Sequence, residues 1–179
     1  MNPSPFSIQR SISRRAFLHR SALALAGLGC ATAALQAAGW GEMTSLPALG
    51  EFGLEGSLPS LKDQVVYLDF WASWCAPCKV SFPILDQWQR QFAARSFTVL
   101  GVSVDEKAGD MRDFLKKTPV SFAVVRDAGQ KLVSAAGIKA MPTAFLVDRK
   151  GSIRHIHQGF RRQDEKTLAE RITNLLGAA

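Results

Sequence analysis

One stretch of the sequence decides the fold: Trp71-Ala72-Ser73-Trp74-Cys75-Ala76-Pro77-Cys78-Lys79. It follows directly on the apolar run over residues 65–70, which is typical of a buried strand. Two cysteines three positions apart, at the junction between a strand and a helix, suit thiol–disulfide exchange. The stretch therefore predicts a redox-active dithiol at the start of a helix.

Working outward from this stretch, apolar runs alternate with amphipathic segments. The runs predict strands over residues 65–70, 98–104, 122–125, 143–147 and 153–157, the last two joined by a hairpin. The segments predict helices over residues 76–94, 106–117, 130–136 and 163–176. A small hairpin is predicted within residues 40–63. Together these elements predict an α/β fold with a mixed central sheet and helices on both faces.

The length of the chain and its charge limit the possible functions. A chain of 179 residues predicts one domain, over residues 40–179, behind an N-terminal segment of residues 1–39. The composition is that of an ordinary globular protein, with 47% apolar and 21% charged residues. The net charge of +7 comes partly from the N-terminal segment. Because no basic run carries interleaved aromatic residues, we predict no nucleic-acid partner.

The N-terminal segment has the pattern of an export signal. Ser13-Arg14-Arg15-Ala16-Phe17-Leu18 precedes an apolar, alanine-rich run over residues 22–38. The paired arginines with Phe17 and Leu18 resemble a twin-arginine signal. A retained membrane anchor is a second interpretation, a lipoprotein site at Cys30 a weaker one, and a basic arm on a cytosolic protein a third. Both the signal and the anchor place the folded domain outside the cytoplasm.

The cysteine count favours catalysis over structural roles. Cys30 lies in the N-terminal segment, so the domain retains only Cys75 and Cys78. A disulfide between these two cysteines closes too short a loop to stabilise the fold much, and the pair supplies only half of a four-cysteine zinc site. Cys75 is predicted at the helix start, where the helix dipole should lower its pKa. Cys78 lies one turn further in and would resolve a mixed disulfide; the alternative is that both are simply small buried residues.

Asp69 is a carboxylate inside the predicted apolar strand, six residues before Cys75. Burial should raise its pKa toward neutrality. A base of this kind could accept the proton of Cys78 as that thiol attacks the mixed disulfide. We therefore predict a catalytic role for Asp69; the alternative is that it only hydrogen-bonds a strand end.

With Pro83 and Met141-Pro142-Thr143, the cysteine stretch resembles the thioredoxin superfamily. The spacing of residues 122–127 and 143–151 is similar to that of the exported TlpA-like branch, which includes reductases for cytochrome c and copper-centre assembly. The resemblance implies that Cys75 is the nucleophile, Cys78 the resolving thiol and Pro142 a cis proline. The substrate-binding residues that it implies are Trp74, Ala76, Pro77, Met141 and Pro142.

The resemblance implies an extracytoplasmic reductase of disulfides in exported proteins, supplied with electrons by a membrane thiol reductant. It implies no bound cofactor or metal, since the Cys75–Cys78 disulfide carries the electrons. Three departures favour a reductase broader than a cytochrome specialist. The branch often has Glu where Ser81 stands and Asn where Asp69 stands, and the thioredoxin lysine near that carboxylate is replaced by Gly101.

Two other functions fit parts of the sequence. A copper-handling module could use the same thiols, with His155 and His157 on one face of a strand. Strand alternation alone also produces such pairs of surface histidines. A disulfide-forming oxidase is the weaker alternative, because Ala76-Pro77 lacks the histidine that such oxidants carry.

Overall fold

The computed structural model describes residues 39–178 of the chain. This part contains five strands: β1 (Val65–Trp71), β2 (Phe97–Ser103), β3 (Ala123–Arg126), β4 (Thr143–Val147) and β5 (Ile153–Gln158). Its four α-helices are α1 (Ala76–Phe92), α2 (Ala108–Lys117), α3 (Lys131–Ala135) and α4 (Asp164–Gly177). Short 3₁₀ turns add Leu49–Phe52 and Ala93–Arg95. The predicted strands and helices are confirmed, with ends that differ by one or two residues.

The five strands form one mixed sheet in the order β3-β2-β1-β4-β5. The β1–β2 and β2–β3 pairs are parallel, whereas β1–β4 and β4–β5 are antiparallel. The turn at residues 148–151 joins β4 to β5 as the sequence predicts, with Gly151 at a positive φ of 81°. The mixed sheet is therefore confirmed, and β1 lies at its centre.

Both faces of β1 are covered, which explains why every residue of this strand is buried. On one face, the ring of Tyr67 packs against Trp88 of α1 at a centroid distance of 5.5 Å, and Trp71 packs against Phe82 of α1 at 4.4 Å. On the other face, Phe70 packs against Trp40, which precedes β1, at a centroid distance of 6.2 Å. The helix that carries the cysteines thus packs directly on the central strand.

The hairpin predicted within residues 40–63 is wrong. This segment pairs with distant strands instead: Ser45 forms a bridge with Ser152, and Glu55 forms one with Arg126 at the end of β3. Gly56, at a φ of +118°, lies so close to β3 that a Cβ there would come within 3.2 Å of the Val124 carbonyl oxygen. The edge of β3 has backbone groups without a strand partner on that side. Glu55 forms backbone hydrogen bonds with this edge rather than with a second strand of the 40–63 segment.

The predictions for the N-terminal leader fall on residues outside the described part. Residues 1–38, including Arg14, Arg15 and Cys30, are not described, so the signal and anchor stay predictions. Within residues 39–178, none of the helices has the length and apolar character that a membrane span requires.

Candidate active site

The two cysteines lie where β1 gives way to α1. Cys75 is the N-cap residue, with extended backbone angles, and α1 begins at the next residue with Pro77 in its first turn. The Cys75 Sγ accepts a hydrogen bond from the Cys78 amide at 3.2 Å. The two sulfur atoms form a disulfide, with 5.3 Å between the Cα atoms. The predicted dithiol at a helix start is present in its oxidised form.

The two sulfur positions differ in exposure and in their electrostatic surroundings. Cys75 is 4% exposed and lines a surface groove, whereas Cys78 is fully buried against the sheet. The free N–H groups at the start of α1 favour negative charge at the Cys75 Sγ. An incoming disulfide can therefore reach Cys75 before Cys78, which is the arrangement that a nucleophile and a resolving thiol need.

A groove of about 520 Å³ runs beside the disulfide. Four of the five residues predicted to bind substrate line it together with Cys75: Trp74, Ala76, Pro77 and Met141. The Trp74 ring stands at its rim and is 68% exposed. An exposed tryptophan beside an apolar groove is suited to contact a partner chain.

Pro142, the fifth residue predicted to bind substrate, does not line this groove, although it directly follows Met141, which does. The Met141–Pro142 peptide bond is cis, as the resemblance implies, and Pro142 is itself buried. It directly precedes β4, where its lack of an N–H costs no ladder bond. Its carbonyl accepts a hydrogen bond of 2.7 Å from the Gly159 amide, which fixes the loop against the end of β5.

Asp69 is buried at the centre of β1, between Gly101 of β2 and Ala144 of β4. Its Oδ2 atom has no hydrogen-bond partner in the described part of the chain. Burial raises the pKa of Asp69 well above its usual value. The side chain shares a face of the sheet with Tyr67 and Trp71, the face that α1 covers.

Sequence reasoning missed Asp105, which follows β2 and holds the loop before Cys75. Both carboxylate oxygens accept the Ser73 amide hydrogen at 3.1 Å, and Oδ1 also accepts the Ser73 hydroxyl at 2.8 Å. The Ser103 hydroxyl donates to Oδ2 at 2.8 Å. A signal was available, because Asp105 stands just after a strand parallel to β1, at the edge where the cysteine loop also leaves the sheet.

The two histidines lie on β5 with ring centroids 6.2 Å apart, and each faces a carboxylate. His155 Nδ1 is 3.4 Å from Glu42 Oε1, and His157 Nε2 is 3.5 Å from Asp164 Oδ2. Burial and the nearby Arg171 lower the pKa of His155, despite the opposing effect of Glu42. Among residues 39–178, no three His, Cys, Asp or Glu side chains are grouped closely enough to bind a metal ion together.

Comparisons with known proteins agree with this site. The family model described as Redoxin matches residues 43–172. The thiol-disulfide oxidoreductase ResA of Bacillus thuringiensis (strain Al Hakam) is 30% identical over 103 residues, which cover 56% of this chain and 60% of that protein. The chain thus matches less than two thirds of the length of such curated relatives.

Solved structures are also similar to this chain in their three-dimensional fold. A structure assigned as the thiol:disulfide interchange protein DsbE from Chlorobium tepidum is 38% identical, with a TM-score of 0.68; the match covers 76% of this chain and 96% of that one. An exposed lipoprotein thioredoxin from Streptococcus pneumoniae strain TIGR4 is 26% identical, with a TM-score of 0.59, and covers 68% of this chain and 96% of its own. The chain therefore has the thioredoxin-like fold and belongs to the redoxin family, within the thioredoxin superfamily of ResA- and DsbE-like proteins.

Proposed function

We propose that this protein is an exported thiol–disulfide oxidoreductase that reduces disulfides in exported proteins. The observation that carries the proposal is the asymmetry of the Cys75–Cys78 pair: one sulfur at a helix start beside a groove, the other fully buried behind it. The names of the relatives, thiol-disulfide oxidoreductase and thiol:disulfide interchange protein, support the same chemistry.

The reaction moves two electrons in two exchanges. The Cys75 thiolate attacks one sulfur of the substrate disulfide, which forms a mixed disulfide and releases the first substrate thiolate. The Cys78 thiolate then attacks the Cys75 Sγ, which forms the Cys75–Cys78 disulfide and releases the second substrate thiolate. The substrate is reduced by two electrons, and the protein is oxidised by two. A membrane dithiol reductant restores the dithiol by the same exchange in reverse.

Asp69 is proposed as the base for the second exchange. Cys78 must lose its proton in a buried position, where bulk water cannot accept it. Asp69 is buried beneath the helix that carries Cys78, and burial raises its pKa, so its carboxylate is a stronger base than an exposed one. The protonated Asp69 then gives its proton to a substrate thiolate, which returns Asp69 to the carboxylate form that the next cycle needs.

Substrate contacts are proposed along the groove beside the disulfide. Trp74, Ala76, Pro77 and Met141 line it, and the backbone next to cis Pro142 would hold the partner chain near the sulfur atoms. The acceptor is therefore an exposed disulfide in an extended segment of a protein. The electrons reside in the protein's own disulfide, so we propose that catalysis uses no other cofactor and no metal, and that nucleic acid is not a partner.

Residues 1–39 are proposed to direct the domain, residues 40–179, out of the cytoplasm as a cleaved signal or a retained anchor. The paired arginines and the apolar run support this, and a similar protein is an exposed lipoprotein. The reducing direction is supported by the Ala76-Pro77 pair between the cysteines, which lacks the histidine expected of a strong oxidant.

Trapping of the mixed disulfide tests the proposal. Cys78→Ser removes the resolving thiol, so the reduced variant should accumulate covalent adducts on Cys75 when it meets exported proteins that contain disulfides. The matched variant Cys75→Ser keeps the buried thiol and should trap at least about tenfold less, because Cys78 is inaccessible. Equal trapping by the two variants, or no adduct with either, contradicts the proposal.

A further inference from the structure

The Asp105 carboxylate is held entirely by neutral donors. It accepts the Ser73 amide, the Ser73 hydroxyl and the Ser103 hydroxyl, and the residue is 1% exposed. No salt bridge reaches this carboxylate from any side chain between residues 39 and 178. Its negative charge is therefore spread over hydrogen bonds rather than paired with a cation.

The guanidinium group of Arg126 bonds the backbone at Asp105 and the side chain of Glu55. Arg126 donates from Nη1 to the backbone carbonyls of Asp105 and Glu106, at 3.2 and 2.8 Å. Its Nε and Nη2 atoms bond the Glu55 carboxylate, each at 2.9 Å. Arg126 thus fixes the backbone that carries Asp105 and makes no salt bridge with the Asp105 carboxylate, whereas its own charge is paired with Glu55.

The loop that Asp105 holds leads directly into the nucleophile. Ser73 stands two residues before Cys75, and the Cys75 amide bonds back to the Ala72 carbonyl at 3.1 Å. The Val104 amide bonds the Trp71 carbonyl at 2.9 Å, which joins the two loops on the other side of Ser73. The buried Asp105 carboxylate is therefore fixed against the loop that leads into Cys75, the residue that caps the start of α1.

We propose that Asp105 is a positioning residue that fixes the Cys75 loop and, through a negative charge that no cation pairs with, keeps the reduction potential of the Cys75–Cys78 couple low. Like charges disfavour each other, so this carboxylate opposes the helix dipole, which stabilises a thiolate at Cys75. A less stable thiolate makes the dithiol form a better electron donor. The inference rests on the proposed reductase function and explains why thiol–disulfide exchange by this protein favours reduction of the substrate.

Other charged groups share this end of the molecule and would stay unchanged in the test. Lys79 lies on α1, Asp69 lies in β1, and Lys139 lines the groove beside Cys75. The loop and the start of α2 contribute Glu106, Lys107 and Asp110. A substitution at position 105 therefore changes one charge while the neighbouring charged residues stay the same.

Two variants with opposite expected effects test the proposal on the full chain. Asp105→Asn removes the charge but keeps an oxygen for the Ser73 amide. The pH midpoint of Cys75 alkylation should move to lower pH, and the glutathione equilibrium should shift about threefold or more toward the dithiol, as half a pKa unit implies. Ser73→Ala/Ser103→Ala keeps the charge but removes two donors that offset it, so its midpoint should move to higher pH.

Glu106→Gln is the matched control, because it removes a neighbouring charge that makes no side-chain bond to the loop, and it should shift the midpoint less than Asp105→Asn. If Asp105→Asn and the double variant move the midpoint in the same direction, or if neither moves it, the proposal is overturned and Asp105 only supports the loop. If Asp105→Asn does not fold, the double variant decides alone. A Cys78→Ser variant that accumulates no mixed disulfide on Cys75 would instead overturn the proposed function.

Discussion

At the scale of single residues, Asp69 is a buried carboxyl group with one oxygen that has no hydrogen-bond partner in the described chain. A carboxyl group at the centre of a buried strand, with one oxygen unpartnered, destabilises the fold whenever it ionises. The folded state therefore holds the proton to a higher pH than the unfolded chain does. An apolar residue at this position would stabilise the fold more, so the cost of Asp69 agrees with the proposed role in proton transfer at Cys78.

Asp69→Asn should stabilise the oxidised protein increasingly as pH rises. Between the ordinary carboxyl pKa of 3.8 and the raised pKa in the folded state, the unfolded chain releases a proton that the native Asp69 retains. The free energy of unfolding of the wild type therefore falls by up to about 1.4 kcal/mol per pH unit in this window, whereas that of the variant does not fall for this reason. Urea unfolding from pH 4 to pH 8 measures the difference.

Asp113→Asn is the control for this series. Asp113 is exposed, and its hydrogen bond and ion pair with Lys116 lower its pKa, so its replacement should not stabilise the protein as pH rises. An Asp69→Asn curve parallel to the wild-type curve would show that the Asp69 pKa is not raised. In the same variant, resolution of the mixed disulfide should slow at neutral pH, because the proton acceptor for Cys78 is gone.

At the scale of elements, the seam between β1 and β2 depends on a glycine. Gly101 lies opposite Asp69, and a Cβ at this position would stand 3.2 Å from the Trp71 Nε1 atom and 3.3 Å from Phe122. A methyl group at this position would therefore be tight against these rings, which would have to shift by a few tenths of an ångström.

Gly101→Ala should destabilise the protein by about 1–3 kcal/mol, because the added methyl group overpacks the rings around it. Gly50→Ala is the control: no atom lies within 4 Å of a Cβ built there, so this change should alter stability little. Chemical unfolding of both variants gives the comparison. Equal stability of the two variants would show that the Trp71 and Phe122 rings yield freely.

The elements also show which features the sequence could predict. The cysteine loop, the strands and the helices follow from local patterns of apolar residues, and all of them are confirmed. The bond from Asp105 to Ser73 spans 32 positions, and that from Arg126 to Glu55 spans 71. Such pairs depend on which strands become neighbours, so no local pattern reveals them. The same cause made the hairpin prediction within residues 40–63 wrong.

At the scale of the whole molecule, the segment of residues 40–63 before β1 completes the core on the face away from α1. The Trp40 ring packs edge-on against Phe70 and Phe145, at centroid distances of 6.2 and 5.2 Å. The segment also closes the open edge of β3 through Glu55. The active site is therefore built on one face of a sheet whose other face this segment stabilises.

Trp40→Ala should destabilise the fold by about 2–4 kcal/mol through the lost aromatic packing, while the reactivity of Cys75 stays unchanged. Met43→Ala is the control, since that side chain is 68% exposed. Unfolding curves and alkylation rates of the folded proteins measure the two effects separately. A Trp40→Ala variant of wild-type stability would show that the segment does not contribute to the core.

The central claim is that the two thiols of one short motif behave differently because of where the fold places them. Site-resolved alkylation of the reduced wild-type protein, followed across pH by mass spectrometry, tests this claim most directly. We predict that Cys75 reacts with a midpoint below that of free cysteine, whereas Cys78 stays protected until the protein unfolds. Two thiols that react at equal rates, both with the midpoint of free cysteine, would contradict the account.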